Sequence, residues 1–317
     1  AQNRLPSAHQ VPSTGRLRTV GYSFADLGHF IERRIRGKSE NTRTWLENIT
    51  KLIDANLIGL INEDSLSVLA DAIRLKYESY SSTHKCYVYA RAFLKYLAVV
   101  YQDDTYRSYH DLFECPMRRP SRMEMYRSTS IVTIEDVKNL LLAIGNDTSL
   151  SDDRKRTLKA IVSFLAYTGQ RPVNASKITV QQVNNALSNA QPIIIVRAKQ
   201  DKCNIKHEVP VHPHLISDLQ YLTERKDDNA CIFNYRQLQK WLYENQFMLT
   251  ECDDRFVTKH LRKFFEQYSD ELGFSDVYKC YIMTHGMSGV QWTNYKRIRR
   301  ESLYTQYISK WGGVAFE

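Results

Sequence analysis

Between Phe256 and Trp311 the chain reads FVTKHLRKFFEQYSDELGFSDVYKCYIMTHGMSGVQWTNYKRIRRESLYTQYISKW. Cations, an imidazole and a phenol fall there at spacings that suit chemistry on a phosphodiester. At about 100° per helical residue, Lys259 and Arg262 lie on neighbouring solvent flanks roughly 60° apart, whereas His260 lies on the opposite flank. His285 follows in a Thr-His-Gly turn. Tyr295 comes ten residues later, just before the cationic run Lys296 to Arg300. A phosphate-gripping pair, a hydrogen-bonding imidazole and a phenol thus share one short region.

These residues need elements to hold them. Leu261, Phe264, Phe265, Tyr268 and Leu272 form an apolar helical stripe, and Gly273 is placed to end that helix. Upstream, Thr133 with Asp136 predicts a capped helix with Val137, Leu140, Leu141 and Ile144 on its apolar face. A more apolar helix, Leu158 to Tyr167, stops at Thr168-Gly169, and Pro172 suits the first turn of the next one. Arg171 therefore sits at a helix junction, free to reach a cleft. PIIIVRAKQDKCNIKHEVPVHP reads as two β-branched runs around a polar middle, a hairpin whose turn carries Lys199, Lys202 and Lys206. From Leu215 to Trp241 the pattern returns to helix. The His212 to His214 run lacks carboxylate or cysteine partners and reads as a loop after the strand, not a metal site.

The first half is helical. Residues 1–22 are polar, with Pro6, Pro12, Arg4, Arg16 and Arg18, and read as a mobile arm. Ser23 and Asp26 make a capping box for a helix ending near Gly37. Trp45, Ile49, Leu52 and Ile53 mark one apolar face, Leu66, Leu69 and Ile73 a second, and Tyr89, Phe93, Tyr96 and Leu97 a third. Residues 23–113 thus read as an all-helical bundle, without strand-like alternation. The segment 114–130 changes character, with two prolines and with Arg118, Arg119, Arg122 and Arg127. It reads as an extended basic linker, its arginines either following a phosphate backbone or solvated. Residues 131–317 form the remaining domain.

Composition narrows the class. At 317 residues the chain is long enough for two cores, and 44 Lys and Arg against 35 Asp and Glu give +9 and a pI near 9.1, which favours a polyanionic partner. Six cysteines without a CxxC pair read as reduced thiols of an intracellular protein, with neither a disulfide framework nor a zinc site. Without an 18-residue apolar run or an apolar signal core, a membrane partner is not expected.

The boxes line up with a known pattern. AYTGQRP resembles the TGLR box of the tyrosine recombinases, whose arginine falls on Arg171; KCNIKHEVP resembles their lysine hairpin, with Pro210 eight residues after Lys202. KHLRKFF resembles the HxLR box, and MTHG with NYKRIRRESLYTQYI resembles the ending that holds the histidine and the tyrosine. The resemblance covers 131–311 in order and extends more weakly to the helical half, which is similar to the family's core DNA-binding domain. It departs at Lys259, where the box usually has histidine, as in a group of archaeal viral integrases. It departs again at Asn174, where an acidic residue is common, and in a His285 to Tyr295 interval one residue longer than usual.

The resemblance implies a mainly α protein with a small antiparallel sheet: a helical core-binding domain followed by a tyrosine-recombinase catalytic domain. It implies metal-free, cofactor-free cutting and rejoining of duplex DNA through a 3′-phosphotyrosyl link. Arg171 and Arg262 would fork onto the non-bridging oxygens, Tyr295 would attack, and Lys202, with Lys199 as the alternative, would protonate the leaving 5′-oxygen. His285 would donate to a phosphate oxygen. Lys259 would take the tyrosine proton or simply add charge. Tyr304 and Tyr307 share a face with Leu303, Ile308 and Trp311, so packing explains them.

Partners on this reading are a double-stranded attachment site and other copies of the chain, a dimer per site and a tetramer in the synapse, with room for an accessory DNA-bending protein. Affinity should fall steeply with salt, and the protein should reside inside the cell on DNA. Two other readings stay open: a type IB topoisomerase-like strand transferase, and a catalytically silent DNA-binding protein.

Overall fold

The computed structural model describes residues 17–127, 129–224, 226–285 and 298–316. The chain divides into two compact units, Ala1–Ser128 and Thr129–Glu317.

In the first unit, helices α1 (Phe24–Ile35), α2 (Glu40–Leu57), α3 (Glu63–Lys76), α4 (Tyr80–Tyr101) and α5 (Thr105–Leu112) surround one core. Ser23 and Asp26 close the expected capping box on α1. Each predicted apolar face is inward: Ile49 and Ile53, Leu66, Leu69 and Ile73, and Tyr89, Phe93 and Leu97 are all buried. Two differences stand out. Residues 17–22, read as the end of a mobile arm, belong to this unit. Strand β1 (Val20–Gly21) pairs antiparallel with β2 (Leu60–Ile61), Val20 and Tyr22 are buried, and Arg18 pairs with Asp103. A strand of two residues is too short to show alternation. The segment read as extended linker contains a further helix, α6 (Arg122–Arg127), entered through Ser121 and Glu124, which hydrogen-bond reciprocally. Arg118 pairs with Glu124, Arg119 is exposed, and Arg122 and Arg127 open and close α6. Residues 1–16 of the predicted arm lie outside the described residues.

The second unit holds α7 (Ile134–Asn146), α8 (Asp152–Thr168), α9 (Pro172–Ala175), α10 (Val180–Leu187), α11 (Ile216–Thr223), α12 (Tyr235–Asn245), α13 (Thr258–Glu271), α14 (Asp276–Met283) and α15 (Arg300–Trp311). Thr133 and Asp136 form the predicted capping box on α7, whose Val137, Leu140 and Ile144 are buried. Helix α8 begins earlier than its apolar pattern, because Ser151 caps a charged first turn that has no reason to be apolar. The predicted hairpin is present: β3 (Ile193–Val196) runs antiparallel to β4 (His207–Pro210), pairing Ile193 with Pro210 and Val196 with His207. Helix α15 packs within its own chain, with Leu303, Tyr307 and Trp311 buried and Trp311 stacked on Phe265 at 4.9 Å. Tyr307 donates its hydroxyl to the Tyr167 carbonyl at 2.7 Å, and burial raises its pKa well above the usual phenol value. Packing thus occupies it, as its neighbours in sequence suggested.

Candidate active site

Arg262 is set by α13. Leu261, Phe264 and Phe265 bury one side of that helix against α8, and Gly273, at φ +64°, follows its end. The helical wheel placed Arg262 on a solvent flank beside Lys259, but it is partly buried. Its guanidinium reaches inward, donating from Nη1 to the Gly169 carbonyl at 2.7 Å and from Nη2 to the Met283 carbonyl at 2.8 Å. Both acceptors stand at helix C-termini, α8 and α14, where carbonyls lack intrahelical partners and carry partial negative charge. Dipoles rather than carboxylates anchor the cation, so most of its charge remains available to another anion. Burial, and then the proximity of Arg171, pull its pKa down to about 10, which still leaves it cationic at neutral pH.

Arg171 caps α9, with Pro172 in the first turn as expected. Its Nη1 donates to the Thr284 hydroxyl at 2.7 Å and reaches the Met283 carbonyl at 3.5 Å, and its Nη2 reaches the Thr284 carbonyl at 3.4 Å. The two arginines, far apart in sequence, therefore share the carbonyl of Met283. Like charges held this close need an anion, and within this cluster the Asp201 carboxylate lies 3.4 Å from Arg171.

The hairpin connection 197–206 brings in the lysines. Lys199 lies on a 3₁₀ turn, Ala198–Gln200, and both Lys199 and Lys202 are exposed. The backbone N–H of Lys202 is fixed by the side-chain oxygen of Asn174, within α9, at 3.1 Å, so it is the Lys202 backbone that is tied to the arginine network.

Lys259 is exposed in the first turn of α13, while His260 is buried, accepts the Val257 N–H at Nδ1 (3.3 Å) and meets the Phe256 ring edge-on. The predicted flank assignment for His260 holds. His285, the first residue after Thr284, is exposed and pairs through Nδ1 with Glu266 at 3.4 Å. It is not a buried structural histidine. Tyr295, the expected nucleophile, lies outside the described residues.

Of the residues that hold this site together, Asn174 stood out in the sequence only as a departure from the resemblance, and Asp201, Thr284 and Gln170 were not singled out. Asp201 is fully buried, as are Asn174 and Thr284, and Thr284 adopts a left-handed conformation at φ +51°. Gln170 donates to the Ile282 carbonyl at 2.6 Å and faces His207 Nε2 with its oxygen at 3.0 Å, tying β4 to α14. The one signal available was position: Asp201 and Gln170 are polar residues flush against Lys202 and Arg171.

His212 is buried, donating from Nε2 to the Trp311 carbonyl at 2.8 Å and stacking on Tyr167 at 3.8 Å. Among the described residues no three His, Cys, Asp or Glu side chains are grouped to hold a metal ion, and no helix is long and apolar enough to cross a membrane. Burial pushes the pKa of His212 down to about 4, and His260 behaves alike. Because the folded value lies below the unfolded one of about 6.5, the unfolded chain takes up protons first. Stability is then complete above pH 6.5 and declines as pH falls toward 4. Thermal unfolding followed from pH 7 to 4 should show that decline, and a folded His212→Gln should show a shallower one; an unchanged slope in the variant contradicts the assignment.

No family model matches the chain, and a sequence search finds no significant match among curated proteins. Solved structures do match. A lambda integrase tetramer bound to a Holliday junction aligns with TM-score 0.62 at 13% identity, over 87% of this chain and 79% of that one. A lambda integrase dimer bound to a COC' core site gives 0.61 at 12%, over 89% and 80%. The Tn1549 transposon integrase with circular intermediate DNA gives 0.54 at 14%, over 88% and 98%. The chain has the integrase fold. The likeness is too extensive to be confined to one of the two units. It confirms the expected class, mainly α with a small antiparallel sheet.

Proposed function

We propose that the protein is a tyrosine-type site-specific DNA recombinase, acting without metal or cofactor. The observation that carries this reading is the shared Met283 carbonyl, which holds two cationic forks side by side, with the Lys202 backbone tied through Asn174 to the same network and His285 following Thr284 directly in sequence. Two adjacent guanidiniums, Arg262 anchored on neutral carbonyls and Arg171 on Thr284 and Asp201, are suited to the paired non-bridging oxygens of one phosphodiester.

In the step this geometry serves, the Tyr295 oxygen forms a bond to phosphorus and loses its proton, to Lys259 or to water. The phosphorus–oxygen bond to the 5′ side breaks, its electron pair leaving on oxygen, which takes a proton from Lys202. Arg171 and Arg262 neutralise the charge that builds on the equatorial oxygens, and His285 donates to one of them. Religation is the reverse. The helical first unit, with Arg118, Arg119, Arg122 and Arg127, would grip the duplex backbone together with Lys199, and copies of the chain would pair on inverted half-sites. Lys259 in place of the usual histidine aligns the site with archaeal viral integrases.

The test is a pool of randomised, singly nicked duplexes incubated with the protein in a chelator. A protein–DNA adduct that survives denaturant and is enriched in one sequence is the expected result. No adduct overturns the proposal and favours a silent binding protein. Adducts spread evenly over the pool favour a topoisomerase.

A further inference from the structure

Asp201 presents a second question, because a buried charge is costly unless several donors satisfy it. Five do. Its Oδ2 accepts the backbone N–H groups of Cys203 at 2.8 Å and Ile205 at 3.3 Å. Its Oδ1 accepts from the Asn174 amide at 2.5 Å, the Thr284 hydroxyl at 3.2 Å and Arg171 at 3.4 Å. Burial works against the charged form, but the N–H groups of Cys203 and Ile205, with the Asn174 amide, outweigh it and hold the carboxyl below the usual range. The donors come from three separate stretches: the α8–α9 junction, the turn after Lys202, and the end of α14 beside His285. Asn174 completes the clamp, donating to Asp201 with one end and accepting the Lys202 N–H with the other.

We propose that Asp201 is a positioning residue: through the Asn174 amide and the turn's own N–H groups it fixes the backbone of Lys202, and so the height at which that lysine meets the leaving 5′-oxygen. The inference rests on the recombinase reading above. Lys202 is exposed, so side-chain packing does not hold it, and the turn's hydrogen bonds to Asp201 and Asn174 are what set its place. An error of about an ångström in placing a proton donor costs on the order of 100-fold in rate.

The leaving group gives a readout that a merely structural role would not move. With sulfur in place of the bridging 5′-oxygen, the departing group is a thiolate, which needs no proton because thiols are far more acidic than water, about 8.5 against about 16. The sulfur-bridged and ordinary forms of the duplex selected from the randomised pool are compared with wild type, Asp201→Asn and Asn174→Ala. Each variant should cleave the ordinary duplex about 100-fold more slowly than wild type and recover to within a few-fold on the sulfur duplex. Arg262→Lys, which acts on the phosphate oxygens, should stay slow on both. Asp201→Asn cleaving both duplexes at wild-type rate, or both equally slowly, overturns the assignment. If Asp201→Asn loses its cooperative melting transition, Asn174→Ala decides by the same criterion. Loss of folding in both variants makes the cluster a stability element and also overturns it. Wild type that cleaves neither duplex overturns the recombinase reading first.

Discussion

Arg262→Lys is expected to slow strand cleavage by about 1,000-fold, since removing one fixed donor from a developing oxyanion costs about 100- to 1,000-fold and this substitution also frees an anchor. The guanidinium has five N–H donors; two engage Gly169 and Met283, and the rest can face the phosphate. An ammonium has three donors on one atom and cannot span two carbonyls and an anion together. Charge suffers as well. The site already draws the guanidinium pKa down to about 10 by burial and by Arg171, and lysine starts from a lower ordinary value. Raising the pH should therefore neutralise the lysine well before the arginine, so the gap between wild type and variant widens from pH 7 to pH 9. Single-turnover cleavage of the nicked duplex measures both. A variant within tenfold of wild type, or a gap that does not change with pH, contradicts the proposed role.

Gly169→Ala should destabilise the second unit by about 2–5 kcal/mol, the sum of a left-handed backbone for a residue with a Cβ and an overpacked contact. Gly169 sits at φ +58°, and a Cβ there would lie 2.4 Å from Cδ1 of Phe265, a buried ring stacked on Trp311. Relief can come only by moving Phe265 or the turn, and the turn carries the carbonyl that holds Arg262. Denaturant unfolding should show the loss, and the folded fraction of the variant should cleave more slowly than wild type. A midpoint equal to that of wild type would mean the junction yields at no cost, which its packing does not allow.

What could be read from the sequence was what is written in neighbouring residues. Ser23 with Asp26 and Thr133 with Asp136 are contacts between residues three apart, and they form as their spacing requires. The Leu261, Phe264 and Phe265 stripe and the β-branched runs of the hairpin are likewise local. The pairing of Val20 with Ile61, by contrast, joins strands of two residues, and helix α6 lies in a stretch whose prolines and arginines suggested extension. The site divides the same way. Arg171 was placed by the glycine and proline around it, yet the inward reach of Arg262 depends on carbonyls of residues 169 and 283, which no helical wheel contains. Asp201 offered only its place beside Lys202, because its meaning comes from Asn174 and Thr284, distant in sequence.

Digesting the trapped protein–DNA adduct with protease and weighing the DNA-linked peptide asks most directly which side chain attacks. The account predicts a phosphotyrosyl bond at Tyr295, and none on Tyr304 or on Tyr307, whose hydroxyl is committed to the Tyr167 carbonyl. A linkage on any other residue would contradict it.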